Sequence, residues 1–303
     1  MLPARTMIIL HTQSRRRFAA SRASRGCAAM GLALMLLPLA AVAGEKPGAP
    51  KVEPLPSDLK AHYKLLYNGI GVGHLHIAST VSGSTYALSG SGKVSALFGA
   101  MTWSGSSSVS GRIDGGEPSP RIYAFDWRHN RKNGAIKLGF ASGTAIDISV
   151  SPPPGPHPDL VPLAEAHKTG AIDPVSAILA LTRPDGRPPC NRRVAIFDGK
   201  QRYDIVLTPK RTTELPASAS GGEPQTAVVC RAMYEPIAGH RANAANKTYA
   251  ANRDVEVVMR RVPGSAMHVP YSVTVPTAWG TGSMVTERVE IVSPTVGRIA
   301  LTR

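Results

Sequence analysis

The residues able to do chemistry in this chain are few and scattered. His74 and His76 share a face if they lie on a strand, where two imidazoles could meet a metal ion. No third ligand accompanies them, and a surface or core role needs fewer assumptions. Gly69, Gly71 and Gly73 have the wrong third spacing for a dinucleotide fingerprint, and no helix follows them. Gly90-Ser91-Gly92-Lys93 ends like a phosphate loop, but Ala87 stands where its first glycine belongs and Val94 where it needs Ser or Thr. Asp126, Asp147, Asp173, Asp198, Asp204 and Glu235 supply acids and bases without a paired motif. Structural roles account for Asp173 as a helix cap, Asp198 as a turn residue and Asp204 as a cross-strand partner of Arg193. Trp103, Tyr123, Phe125 and Trp127 form a candidate ligand groove: the last three alternate and share a strand face, as in a cavity wall or a core stripe. None of these patterns identifies a catalytic residue, a metal site or a cofactor.

Cys27, Cys190 and Cys230 take their meaning from the N-terminus. Residues 1–43 hold six arginines, no lysine and no acid, an apolar run from Cys27 to Val42, and the small-residue triplet Ala41-Val42-Ala43. This reads as a secretory signal cleaved after Ala43. An uncleaved anchor is the alternative, but a run of about 16 apolar residues is short for a span of about 20. Ser14-Arg15-Arg16-Arg17-Phe18 resembles a twin-arginine export signal, although Arg22 and Arg25 intervene before the apolar run. Export to an oxidising space discards Cys27 and leaves Cys190 and Cys230 as a pair able to form a disulfide. Two free thiols or metal ligands remain the competing reading.

The formal charge of +15 falls to +9 once the six arginines of the signal are removed, leaving 29 basic against 20 acidic residues. Such a surface favours anionic partners such as phosphorylated lipid headgroups, although diffuse positive charge often selects no partner. No basic run interleaved with aromatics appears, which argues against nucleic acid. The chain has 43% hydrophobic residues, enough for one large or two small cores.

The elements that must position these residues are mostly strands. Residues 44–58 hold four prolines and read as an extended leader. Asn68-Gly69 turns a hairpin between 62–67 and 70–77, and further strands follow at 84–90, 101–113, 120–128, 134–140 and 144–150. The proline-rich stretch 151–158 breaks the chain. Asp173 then caps a short helix with Pro174 at its first position. Asp198-Gly199 turns a second hairpin; a two-residue loop there sets Val194 opposite Tyr203, Arg193 opposite Asp204 and Cys190 opposite Leu207. Residues 209–224 read as a long exposed loop, and 225–234, 254–262, 268–276, 283–293 and a last segment ending near Thr302 as strands. If 225–234 simply pairs beside 203–207, Cys190 lies one strand too far from Cys230, so the bridge requires a crossing or a curled sheet. The expected fold is mainly β: a large curved antiparallel sheet, an open barrel or β-spiral clamp, with one short helix and one disulfide. The expected domain runs over 59–303, with two lobes joined by 151–172 as a variant.

Tyr67-Asn68-Gly69-Ile70-Gly71-Val72-Gly73, Asp173-Pro174-Val175-Ser176-Ala177, Phe197 to Asp204 after Cys190, and Cys230 with Ile237-Ala238-Gly239 together resemble bacterial exported proteins of the domain-of-unknown-function family 3108. That family has no established catalytic residues to carry over. The layout is also similar, more loosely, to the periplasmic envelope-integrity protein B group, which implies a spiral of antiparallel strands forming an open clamp with one disulfide.

The reading that follows is a non-enzymatic periplasmic protein that supports the cell envelope by binding a lipid, peptide or protein partner, with membrane contact only transient or through an uncleaved signal. A hydrolase acting on envelope polymers, and a purely structural partner of another envelope protein, are the alternatives. A nucleophile and base meeting in one cleft would favour the hydrolase. An exposed apolar patch or sheet edge would favour the structural partner.

Overall fold

The alternation in the sequence folds into one antiparallel sheet. The computed structural model describes residues 53–216 and 224–303, so the expected signal and most of the expected leader lie outside the described residues. In chain order the elements are β1 (Asp58–Tyr67), β2 (Ile70–Ser82), β3 (Thr85–Ala96), β4 (Met101–Asp114), β5 (Glu117–His129), β6 (Lys132–Ala141), β7 (Thr144–Ser151), α1 (Pro174–Thr182), β8 (Arg192–Phe197), β9 (Arg202–Leu215), β10 (Gln225–Ala238), α2 (Ala244–Ala251), β11 (Glu256–Arg261), β12 (His268–Thr277), β13 (Gly280–Ser293) and β14 (Gly297–Thr302). The spatial order is β7-β6-β5-β4-β3-β2-β1-β13-β12-β11-β10-β9-β8, with β14 on β13, so both halves of the chain share one sheet. Pairing of β1 with β13 joins them.

The two ends of this path, β7 and β8, are brought together by the segment before α1. Thr169 bridges Thr144 at the start of β7, and Ile172 bridges Ile196 of β8. Gly199, in the β8–β9 turn, packs on the side chains of Ile136, Leu138 and Val150 from β6 and β7. The sheet is thereby a nearly closed barrel. Helix α1 fills its inside, since nine residues are too few to hold a helix alone. Val175 and Leu179 pack into one core with Tyr86, Leu88, Tyr123 and Leu138, while Ala177 and Ala180, on the other side of the helix, meet Val194 and Ile196. A helix apolar on all sides has to be enclosed.

Asp173 anchors the plug: its Oδ1 accepts hydrogen bonds from the backbone N–H groups of Val175 and Ser176, both 2.9 Å, while Ser176 Oγ and Tyr86 OH lie 2.7 Å apart. A second core lines β1, β12, β13 and β14 through Ala61, Tyr63, Val269, Val289, Ile291 and Leu301. The apolar cavity between α1 and that wall holds only about 40 Å³.

Several local expectations need correction. The β8–β9 connection is four residues, 198–201, because the Asp198 carboxylate accepts from both Lys200 N and Gln201 N. The register therefore moves by two, with Val194 opposite Ile205 and Arg192 opposite Leu207. A shift of two preserves the faces, and Arg193 still reaches Asp204 diagonally at 2.6 Å. Asn68 and Gly69 hold φ of 50° and 80°, the two positive angles of a type I′ turn, but a bulge at Val72 sets Leu65 opposite Gly73. The expected loop after Leu207 is instead strand as far as Leu215, with Lys210 bulged out of β9 next to Pro209 where β9 pairs with β10. A second helix, α2, capped by the Asn243 side chain, was not expected at all.

The Cys190–Cys230 disulfide is formed, with S–S 2.02 Å and Cα–Cα 5.0 Å. Strand β9 does separate β8 from β10, so the bridge is made by crossing. Cys190 precedes β8 and reaches over Leu207 to Cys230, and Met259 completes the buried cluster.

Candidate functional site

The register of β1 to β6 lines up polar side chains that are far apart in sequence. One cross-strand row runs His62, His76, Ser91, Ser106, Asp126. The next runs Lys64, His74, Lys93, Ser104, Arg128, Asn133. Both rows lie on the outer face, opposite the buried Leu88, Val109, Tyr123 and Leu138. Their strands alternate small polar residues with glycine, so the floor is low and the rims stand above it. The result is a groove of about 770 Å³ bounded by His74, His76, Lys93, Asp126, Arg128 and Asn133. A further cleft of about 420 Å³ continues it past Val72, Val94 and Thr102.

Hydrogen bonds hold parts of the rims. His62 Nδ1 and His76 Nδ1 are 2.7 Å apart across β1 and β2, so one ring donates and the other accepts. His74 Nδ1 lies 3.4 Å from a Glu287 carboxylate oxygen. No cluster of three or more His, Cys, Asp or Glu able to hold a metal ion occurs among the described residues. Lys93 and Arg128 make no ion pair among the described residues and are available to an anionic group.

The first row contains a serine beside a histidine and, further along, an aspartate, which invites comparison with nucleophilic catalysis. Ser91 and Asp126 stand two strand spacings apart, about 9–10 Å. His76 is already bonded to His62. The floor strands are paired on both sides, so their N–H groups serve the ladder and none is left to stabilise an oxyanion. Ser91, His76 and Asp126 thus stand in one row without forming a hydrogen-bonded triad.

Of the aromatic residues expected to line a groove, Trp127 is among those lining this one and Trp103 among those lining its continuation, with their rings packed against glycines of the inner face. Tyr123 belongs to the buried core and Phe125 packs against it, so neither is a ligand wall. Burial in this core pushes the Tyr123 hydroxyl well above the ordinary phenol range. Trp103 lies flat over the backbone of Gly92 and Gly105, where a Cβ on Gly105 would come within 2.7 Å of its ring. Trp127 covers Gly134 in the same way. The glycines that lower the groove floor on one side thus receive the indoles on the other.

Asp173 is buried and Asp198 half-buried, and desolvation raises both carboxyls above their ordinary range against the opposing effect of hydrogen bonds, from Ser176 and the backbone at Asp173 and from the backbone at Asp198. Each acts as a turn or cap acceptor. His62, Lys93, Ser104, Ser106, Arg128 and Asn133 were absent from the sequence-derived site. Their available signal was the Ser-Gly-Ser-Gly of 89–92 and the Ser-Gly-Ser-Ser-Ser of 104–108, which mark strands with little side-chain bulk on either face.

A family model described as "Protein of unknown function (DUF3108)" matches residues 61–287 of this chain. No curated protein matches it. Among solved structures the chain is similar to a beta-barrel-like protein of domain of unknown function DUF1849 from Brucella abortus, with a TM-score of 0.46 and 10% identity over 80% of this chain and 100% of that one.

Proposed function

The chain belongs to the DUF3108 family, and from that premise we propose that it is a non-enzymatic periplasmic protein of the bacterial envelope that holds an extended peptide segment of a protein partner. The observation that carries this reading is the outer groove over β2 to β6, floored by serine and glycine and rimmed by Lys93 and Arg128. Serine hydroxyls both donate and accept, so a peptide backbone of either direction finds partners along the floor. The lysine and arginine favour acidic side chains at the rim. A lipid chain is the weaker candidate, because the apolar cavity beside α1 is water-sized.

The test is fluorescence anisotropy of a fluorescein-labelled oligoglutamate with protein recovered from the periplasm, against oligolysine as the control. Oligoglutamate should bind and oligolysine should not. Lys93→Glu with Arg128→Glu should weaken binding by ~tenfold or more, with reduced salt dependence. Unchanged affinity in that double variant would remove the groove from consideration.

A further inference from the structure

We infer that one end of the barrel is a docking surface for an anionic phospholipid membrane. Alternate hairpin turns point to opposite ends of an antiparallel sheet. At one end stand the turns of β12–β13, β1–β2, β3–β4 and β5–β6, which are consecutive around the sheet. Three of them carry the most exposed large apolar side chains among the described residues: Trp279 at 87%, Leu97 at 74% and Ile70 at 71%. Two of these tips are locked together, since Thr281 N donates to Asn68 Oδ1 at 2.7 Å and Asn68 N to Thr281 O at 2.9 Å. The fourth tip supplies Arg131 and Lys132, both exposed and free of ion pairs among the described residues. On the far side, Asn252 Nδ2 donates to Pro276 O and ties the end of α2 to the end of β12, and the exposed Arg253 follows that anchor in the chain.

The opposite end differs in kind. Its β2–β3, β4–β5 and β6–β7 turns are Gly83-Ser84, Gly115-Gly116 and Ser142-Gly143, and its β13–β14 turn carries only Val296, 38% exposed, as an exposed large apolar side chain. The outer wall between the ends carries serine, lysine and histidine on β2 to β4, unlike the apolar band of a barrel embedded by its side. Membrane contact is therefore end-on. Indole prefers the headgroup layer, leucine and isoleucine reach the acyl boundary, and flanking arginines and lysines meet lipid phosphates. That charge pattern selects an anionic bilayer over an uncharged protein partner. No described helix is long and apolar enough to cross a membrane, and this mode needs none.

The experiment is cosedimentation with vesicles of phosphatidylglycerol and phosphatidylethanolamine, against vesicles of phosphatidylcholine alone. Wild type and variants are all recovered from the periplasm, so they share one N-terminus. Wild type should sediment with the anionic vesicles and remain in solution with phosphatidylcholine. The triple variant Ile70→Ser, Leu97→Ser, Trp279→Ser should lose at least about tenfold in partitioning, since each side chain is a full apolar insertion. Arg131→Glu with Lys132→Glu should abolish the preference for phosphatidylglycerol, and Trp279→Phe should remove the blue shift of indole emission on binding. These side chains face solvent, so an intact Cys190–Cys230 bridge and an unchanged melt verify folding. Equal sedimentation of the triple variant would overturn the inference. So would a wild-type dimer in ultracentrifugation that the triple variant abolishes, because a second copy would then be the occupant.

Discussion

Asp173→Ala is expected to loosen the helix that fills the barrel, whereas Asp173→Asn should leave it seated. The carboxylate is fully buried, with Oδ1 accepting from Val175 N and Ser176 N at 2.9 Å and Oδ2 without a partner. Alanine removes an N-cap, about 1 kcal/mol, and leaves two buried donors unmatched, about 1–3 kcal/mol each. These contributions overlap, so the expected loss is about 2–4 kcal/mol, a fall in Tm of about 4–16 °C for a chain of this size. Asparagine keeps the acceptor and caps as well as aspartate. It also removes a group that burial holds above the ordinary carboxyl range. A folded pKa above the unfolded one favours the folded state in its protonated form. That contribution is complete below the unfolded value and is lost as pH rises through the folded one. Wild type should therefore lose stability relative to Asp173→Asn as pH rises from about 4 toward neutrality. The half-buried Asp198 is shifted the same way but is present in both proteins and cancels. Urea unfolding over a pH series, followed by far-UV circular dichroism and tryptophan emission, measures the difference. An offset already present at the acid end of the series reflects only the extra amide donor, and the test is whether the difference grows from there. A flat difference across pH, or an asparagine variant as damaged as the alanine one, would refute the argument.

Replacing Cys190 and Cys230 together by alanine opens a loop with a sequence separation of 40 residues and should cost about 4 kcal/mol on the chain-entropy account; urea midpoints under oxidising and reducing conditions test it, since wild type should fall to the variant's value on reduction. Gly105→Ala puts a Cβ 2.7 Å from Trp103 and should displace the indole at a cost of about 1–3 kcal/mol, read as a changed near-UV dichroism with little change in the far-UV. Asp185→Ala takes the carboxylate from the buried Arg192, which it meets at 2.7 Å, and should destabilise by about 3–5 kcal/mol; the double variant Asp185→Ala, Arg192→Met should recover part of that loss in thermal melts, and no recovery would deny the pairing its role.

Features that one residue type determines locally were legible in the sequence. Asn68-Gly69 needs two positive φ angles and has them, and Asp173-Pro174 opens α1. Cys190 and Cys230 become each other's partner once Cys27 is set aside. Misreadings arose where a side chain altered the backbone count. The Asp198 carboxylate bonds two amides and widens the turn to four residues, which no dipeptide rule anticipates. Pro209 looked like a strand end because proline cannot donate to a ladder, yet it sits at a bulge where the ladder skips a residue. Helix α2 has low apolar content and no buried residue, so periodicity had nothing to detect.

The groove was illegible for a different reason: it is a property of register. His62, His76, Ser91, Ser106 and Asp126 span 64 positions yet form one line, because each adjoining pair of strands sets them opposite one another. Bulges decide which residues meet, and the one at Val72 is what brings Lys64 level with His74. A one-residue slip in any of the four ladders would send the rest of the row to the barrel interior. The aromatic stripe Tyr123, Phe125, Trp127 prevents that slip, since its side chains fit only over the glycines and core of the inner face. Tyr123 and Phe125 therefore act on the site from behind. By fixing which face of β5 points inward, they commit Asp126 and Arg128 to the groove.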